Sequence, residues 1–147
     1  MISNLINMTE SEIKSNLIRL IMTAYFGSEF RKEYLNFSIV FRMEHLQTQF
    51  GQYDMVKREI EVSNPSPNVV DQWKTLIHEC SHHIDCCQRG TSDHGPKFFA
   101  IYKKLLWTAM DLDWFSPEYL ILATAASADH NKMVQIIDEY KKMLQKR

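Results

Sequence analysis

The sequence predicts an α+β fold in a single domain, residues 1–147, with an N-terminal helix, a small three-stranded sheet, a long central helix and further C-terminal helices. Three observations predict this class. A chain of 147 residues is long enough to bury one core and too short for two. Apolar residues recur at helical spacing in four stretches, a Ser-Pro-Glu helix start marks a fifth helix, and short β-branched and aromatic stretches lie between the first two helices. No internal repeat, low-complexity tract or long linker divides the sequence.

The first helix begins at a capping box, in which Thr9 and Glu12 each satisfy a backbone N–H of the other. Apolar residues then recur every three or four positions as far as Gly27, which is expected to stop the helix. These residues are Ile13, Leu17, Leu20, Ile21 and Ala24.

Three short strands are expected next. Residues 37–41 are aromatic and β-branched, and in 58–63 Ile60 and Val62 alternate with charged residues, as in a half-buried strand. Residues 51–54 resemble a turn that leads into another short strand.

The proline-rich stretch 64–68 disfavours helical dihedral angles and precedes a long helix over 69–87. One face of this helix carries an apolar stripe within an arc of about 100°. The stripe consists of Trp73, Leu76, Ile77, Cys80, Ile84 and Cys87. His78 and His82 lie one turn apart on nearly the opposite side. This opposition indicates that the helix forms one wall of a cleft.

Three more helices are expected. Gly95 and Pro96 start one of them, because proline suits the first turn, and its buried stripe is Phe98, Ile101, Tyr102, Leu105, Leu106 and Ala109. Ser116-Pro117-Glu118 starts another that runs to about Ala128. Asn131 can cap the last, with Met133, Ile136, Ile137, Tyr140 and Leu144 facing inward and a basic end at Lys141, Lys142, Lys146 and Arg147.

The candidate chemistry lies in the central helix. Residues 78–82, His-Glu-Cys-Ser-His, match H-E-x-x-H, in which two imidazoles one turn apart bind one zinc ion and the Glu reaches a water on the metal. A catalytic zinc usually has three protein ligands. His94 is the best third ligand, because the loop 87–93 can turn the chain back. The sequence thus predicts Zn²⁺ bound by His78, His82 and His94, with Glu79 as general base.

Other residues near the motif fit the metal less well. Cys86 shares the helix face of His78, but two turns separate them by about 12 Å, too far for one ion. Cys80 and Cys87 are expected to be small buried hydrophobic residues. His83 is rotated 100° from His82 and is expected to be a partly buried polar residue.

Supporting roles remain open. Asp85 or Asp93 could orient a ligand imidazole, and the alternative is that both are solvated acids beside a turn. A residue across the cleft would have to stabilise an oxyanion, and the candidates are Tyr53, Tyr102 and His45.

Composition narrows the class of protein. A hydrophobic fraction of 45% and a charged fraction of 24% are typical of globular chains and exclude collagen-like and disordered ones. Lys and Arg number 17 against 18 acids, so only weak DNA contact is expected, at the basic end 141–147. The longest apolar runs are too short to cross a bilayer. The three cysteines form no disulfide framework, which favours a cytoplasmic setting.

Residues 76–82, Leu-Ile-His-Glu-Cys-Ser-His, and 94–99, His-Gly-Pro-Lys-Phe-Phe, together resemble the SprT-like metallopeptidase domain of the SprT/Spartan family. H-E-x-x-H with H-G-P-x-F is more specific than the zinc motif alone. The resemblance covers roughly 13–110 and implies a zincin-like fold. Many members carry a four-cysteine zinc ribbon after this domain, whereas residues 111–147 contain no cysteine and are expected to be extra helices.

The resemblance implies zinc-dependent hydrolysis of peptide bonds in protein substrates, including DNA-associated proteins, with the same ligands and general base. Two alternatives remain. The first is a metal-binding, non-catalytic protein-interaction module, and the second is a helical interaction protein without metal. Metal content separates the last from the other two, and turnover separates the first two.

Overall fold

The computed structural model describes residues 2–42, 51–63, 67–124 and 129–147. These residues form five α-helices and three strands, together with short 3-10 turns at Leu5–Asn7, Gly27–Glu29 and Lys32–Leu35. In chain order the elements are α1 (Glu10–Ala24), β1 (Ser38–Phe41), β2 (Gly51–Asp54), β3 (Glu59–Val62), α2 (Val69–Arg89), α3 (Pro96–Asp111), α4 (Pro117–Ala123) and α5 (His130–Gln145). The predicted α+β class is confirmed. Among the described helices, none has both the length and the apolar composition needed to cross a bilayer.

The three strands form one sheet in the order β1-β3-β2, so β3 is central and β2 lies at an edge. β1 pairs with β3 in parallel and β2 pairs with it antiparallel. The expected turn at 51–54 is wrong, because those residues are β2 itself. The turn follows at 55–58, where Oδ1 of Asp54 accepts hydrogen bonds from the backbone N–H groups of Val56 and Lys57.

The central strand departs from simple alternation. Ile60 and Val62 are buried as expected, but Glu61 between them is also only 6% exposed. Its carboxylate accepts a hydrogen bond from Gln52 of β2 and pairs with Arg42. The buried charge is therefore compensated by partners that the alternation of β3 could not indicate.

The first helix has the predicted capping box, with Thr9 Oγ1 accepting from the N–H of Glu12 at 3.1 Å and the reciprocal bond at 3.0 Å. The predicted stop at Gly27 is wrong, because α1 ends at Ala24. Tyr25 is extended and buried, and its ring packs edge-on against Tyr34. Packing of Tyr25 therefore takes the chain out of the helix before Gly27, which begins the next turn at φ +63°.

The central helix α2 packs against β2, α3 and α4. Its predicted stripe is buried except for Cys87, which is partly buried against the core. Asn68 accepts a hydrogen bond from the N–H of Asp71 at the start, and Gly90 ends the helix in the left-handed conformation, φ +77°. The helix therefore runs two residues further than 69–87 predicted.

The structure confirms part of the prediction for the C-terminal helices. α3 begins at Pro96 with the predicted buried stripe, and Ser116 caps α4, which ends at Ala123. The predicted extension over 125–128 lies outside the described residues. α5 begins at His130 after Asp129, not after Asn131. Leu144 is 39% exposed instead of inward, and Met143 packs against the core in its place.

Candidate metal centre

Three imidazoles meet beside α2. His78 and His82 project from one face of that helix, and His94 reaches them from the loop before α3. One ligand atom from each lies within 4.8 Å of the others, and Nε2 of His82 is 3.1 Å from Nε2 of His94. The structure thus brings together the three residues that the sequence predicts as metal ligands.

The position of His94 is set by a tight turn. Oδ1 of Asp93 accepts the N–H of Gly95 at 2.9 Å and also pairs with Arg89 at 3.2 Å. A Cβ atom at Gly95 would lie 2.9 Å from that same oxygen, so any larger residue would have to displace the Asp93 side chain from this position. Asp93 therefore orients the His94 loop through its backbone and contacts no imidazole in the described hydrogen bonds.

A hydrogen-bonded relay holds His82. Its Nδ1–H donates to Ser92 Oγ at 2.6 Å, and the Ser92 hydroxyl donates to Oδ2 of Asp85 at 2.7 Å. Arg89 donates to both oxygens of Asp85, each at 2.7 Å. Burial alone would raise the pKa of the Asp85 carboxyl, but the bonds from Arg89 and Ser92 outweigh it and lower that pKa.

The hydrogen bond to Ser92 determines which ring nitrogen of His82 carries the proton. With Nδ1 as donor to Ser92, the lone pair lies on Nε2, which faces His94. Burial, followed by the neighbouring His78 and His94, lowers the pKa of His82 to about 4. His82 is therefore neutral at pH 7, the form in which an imidazole binds metal.

The sequence allowed Asp85 either to orient an imidazole or to be a solvated acid. The structure supports the first alternative, because Asp85 orients His82 through Ser92. Arg89 could have been suspected, since it follows Asp85 by one helical turn. Nothing in the sequence indicates Ser92, which reaches its partners only because the loop folds back over α2.

The relay gives a testable prediction. Ser92→Ala removes the acceptor for Nδ1–H of His82, and we expect zinc affinity to fall about 10–100-fold, the usual effect of losing an outer partner of a metal ligand. Ser81→Ala is the matched control. Its buried hydroxyl donates to the Ile77 carbonyl of the same helix and to no ligand. Equal zinc affinities in the two variants would rule out the relay.

Glu79 lines the cleft and is 7% exposed. Its Oε1 lies 3.1 Å from Nδ1 of His78. A hydrogen bond donated by this Nδ1–H leaves the lone pair of His78 on Nε2. Glu79 therefore holds one imidazole of the cluster with one of its two carboxylate oxygens.

Other residues considered as ligands lie apart from the cluster. The Cys86 thiol contacts the sulfur of Met55 at 3.9 Å, and within the described residues the metal-capable cluster contains only the three histidines. His83 is fully buried, not partly as predicted. Its Nε2–H donates to the Glu33 carbonyl at 2.9 Å, and its Nδ1 accepts from Tyr53 at 2.7 Å. Both ring nitrogens of His83 are thus engaged elsewhere.

Two of the three candidates for oxyanion stabilisation line the cleft, namely Tyr53 and Tyr102. Tyr53 donates to His83, and Tyr102 donates to the Lys74 carbonyl at 3.4 Å. Burial raises the pKa of each phenol, so both hydroxyls keep their protons at neutral pH. His45 lies outside the described residues.

The histidines open onto a cleft of about 800 Å³. β2 and the following turn form one wall, and Asp129 and Met133 at the start of α5 contribute to another. Sequence reasoning missed this contribution of the C-terminal segment. A donor set of three imidazoles with a nearby carboxylate suits zinc, which prefers nitrogen ligands and an open fourth position at catalytic sites.

Comparison of the chain with protein-family models, with curated proteins and with solved structures gave no match in any of the three.

Proposed function

We propose that this chain is a zinc-dependent metalloendopeptidase of the SprT-like type. The observation that carries the proposal is that His78, His82 and His94 meet in a cleft that Glu79 also lines. The two motifs that resemble SprT-like domains contribute these same residues. The relay through Ser92 adds support, because metal-ligating histidines usually donate their second N–H to such a partner.

Held by His78, His82 and His94, zinc would polarise a carbonyl group and make a water molecule easier to deprotonate near neutral pH. Glu79 takes the proton of the attacking water and returns it to the leaving nitrogen. Its burial and its bond to His78 hold the carboxylate beside the cluster throughout. The three imidazoles place the reaction beside Glu79 in the cleft.

The position of β2 supports a peptide as substrate. Among the described strands, β2 lies at the sheet edge and lines the cleft. An edge strand offers backbone N–H and C=O groups to which an extended peptide can add as a further strand. Such binding depends little on side-chain identity, so we propose protein substrates rather than one small molecule.

Metal analysis combined with turnover tests the proposal. We expect one zinc per purified chain and cleavage of unfolded casein that a strong chelator stops and added zinc restores. If the chain binds no zinc, the hypothesis that remains is a helical interaction protein without metal. A chain that holds zinc but cleaves neither casein nor itself, with or without DNA, would favour the non-catalytic metal-binding module.

Binding to DNA should be weak and salt-sensitive. In the basic end, Lys141 lies 4.0 Å from Glu118, and Arg147 lies 3.4 Å from Asp111, so acids offset part of its charge. We expect dissociation constants no tighter than the about 10⁻⁴–10⁻⁶ M of non-specific binders at physiological salt. Fluorescence anisotropy against salt concentration measures this. Removal of residues 141–147 should abolish the signal, and tight binding by that truncated chain at high salt would contradict the prediction.

A further inference from the structure

The start of α5 places a second carboxylate beside the histidines. Oδ2 of Asp129 lies 3.8 Å from Nε2 of His78, and the side chain is 27% exposed. Asp129 lines the same cleft as the three histidines and Glu79. It belongs to neither motif, and only the fold brings it to the centre.

The helix that begins directly after Asp129 is docked on α3. α5 buries one face, and the indole N–H of Trp107 in α3 donates to the Ile136 carbonyl at 3.1 Å. The Tyr140 hydroxyl donates to Asp111 at 2.8 Å, which holds the far end of α5 on α3. The carboxylate of Asp129 therefore belongs to the residue that precedes a docked helix.

The separation of the two atoms fits a shared cation. Nδ1 of His78 faces Glu79, so Nε2 is the nitrogen left to bind metal. Two ligands of one tetrahedral zinc with bonds near 2.1 Å stand about 3.4 Å apart, so at 3.8 Å Oδ2 of Asp129 lies just beyond the position of a direct ligand beside His78. Asp129 also falls outside the cluster whose ligand atoms all lie within 4.8 Å. This favours contact with the cation through one water over a direct bond.

The charges around the three histidines also favour contact between Asp129 and a cation. Imidazoles bind metal in their neutral form, so three of them leave the charge of a divalent cation unbalanced. Glu79 and Asp129 contribute two carboxylates to the cleft. After burial, the largest causes that raise the pKa of Tyr102 are the charges of Asp129 and Glu79. Both carboxylates thus act at the same end of the cleft.

We propose that Asp129 is a fourth protein group of the metal centre, so that a divalent cation held by the histidines also ties the start of α5 to α2. The inference rests on the proposed metal centre and extends it to the C-terminal helices. Its consequence is that metal binding and docking of α5 are coupled, each strengthening the other.

The test is Asp129→Asn, which keeps the size of the side chain and remains a favoured residue before a helix. Asp138→Asn is the matched control, because it removes the same charge from an exposed position of the same helix. Asp129→Ser, also favoured before a helix, is a second variant if the amide proves unstable. Metal-free melting checks that each variant folds.

Two measurements are made on the full chain with zinc alone as the probe. Competition with a chromophoric chelator should show zinc affinity about 10–100-fold weaker in the Asp129 variants, as for other outer partners of metal sites, and unchanged in Asp138→Asn. Hydrogen exchange should show that zinc slows the amides at the start of α5 in the parent but not in the Asp129 variants.

The outcomes separate this inference from the proposed function. If the parent binds zinc and the Asp129 variants bind it equally well, Asp129 is no part of the centre and only this inference fails. The same conclusion follows if zinc protects α5 equally in the parent and in Asp129→Asn. If the parent binds no zinc, the proposed function fails and this inference fails with it.

Discussion

Glu79→Gln should leave the fold and the zinc content intact while reducing peptide hydrolysis at least about a hundredfold, since loss of a general base typically costs 10²–10⁴ in rate. The amide is nearly isosteric, and its oxygen can accept the hydrogen bond from Nδ1 of His78 that Oε1 of Glu79 accepts now. The support of His78 is thereby kept. What disappears is the proton acceptor, because a neutral amide neither takes a proton from water nor passes one to the leaving nitrogen.

Three measurements on one preparation check this: the zinc content, the melting temperature and the rate of casein cleavage. Glu118→Gln is the control, since Glu118 is exposed on α4 and does not line the cleft. The two variants should match in zinc content and melting temperature and differ only in rate. Loss of zinc in Glu79→Gln would assign Glu79 a ligand or structural role. An unchanged rate would place the hydrolysis outside this site.

The fold was predictable where one local signal acted alone. The capping box of α1, the proline start of α3 and the stripe of α2 required only residues a few positions apart. Predictions failed where hydrophobic spacing alone could not locate the end of an element. Burial of Tyr25 ends α1 early, and local hydrogen bonds from the backbone to the Asp54 side chain set the turn after β2. Neither contact is visible in the periodicity of the sequence.

The site divides in the same way. H-E-x-x-H places His78 and His82 together because helical geometry alone puts residues one turn apart on one face. Glu79 follows directly after the first of them. The residues that surround them belong to later segments of the chain, which fold back onto α2. Ser92 supports His82 from the loop after α2, and Asp129 approaches His78 from the far end of the chain. Short motifs carry no information on such partners, so only the folded chain identifies them.

The ligand set is tested most directly at His94. His94→Ala removes one of three imidazoles, and we expect zinc affinity to fall by more than the about 10–100-fold that loss of a supporting partner costs. The fold should survive, because His94 is exposed and its loop is held by Asp93, Gly95 and Arg89 through bonds that the substitution does not touch. Melting of the metal-free variant should therefore equal that of the metal-free parent, whereas the stabilisation that added zinc gives the parent should be lost.

Cys86→Ser is the matched control for His94→Ala. Cys86 also lines the cleft and lies on the helix face of His78 and His82, but its sulfur contacts Met55. Replacing it should change neither zinc content nor the zinc-dependent rise in melting temperature. The reverse pattern, with zinc retained by His94→Ala and lost by Cys86→Ser, would mean that the thiol completes the centre. Because two turns of regular helix separate Cys86 from His78 by about 12 Å, that result would require α2 to distort on binding metal.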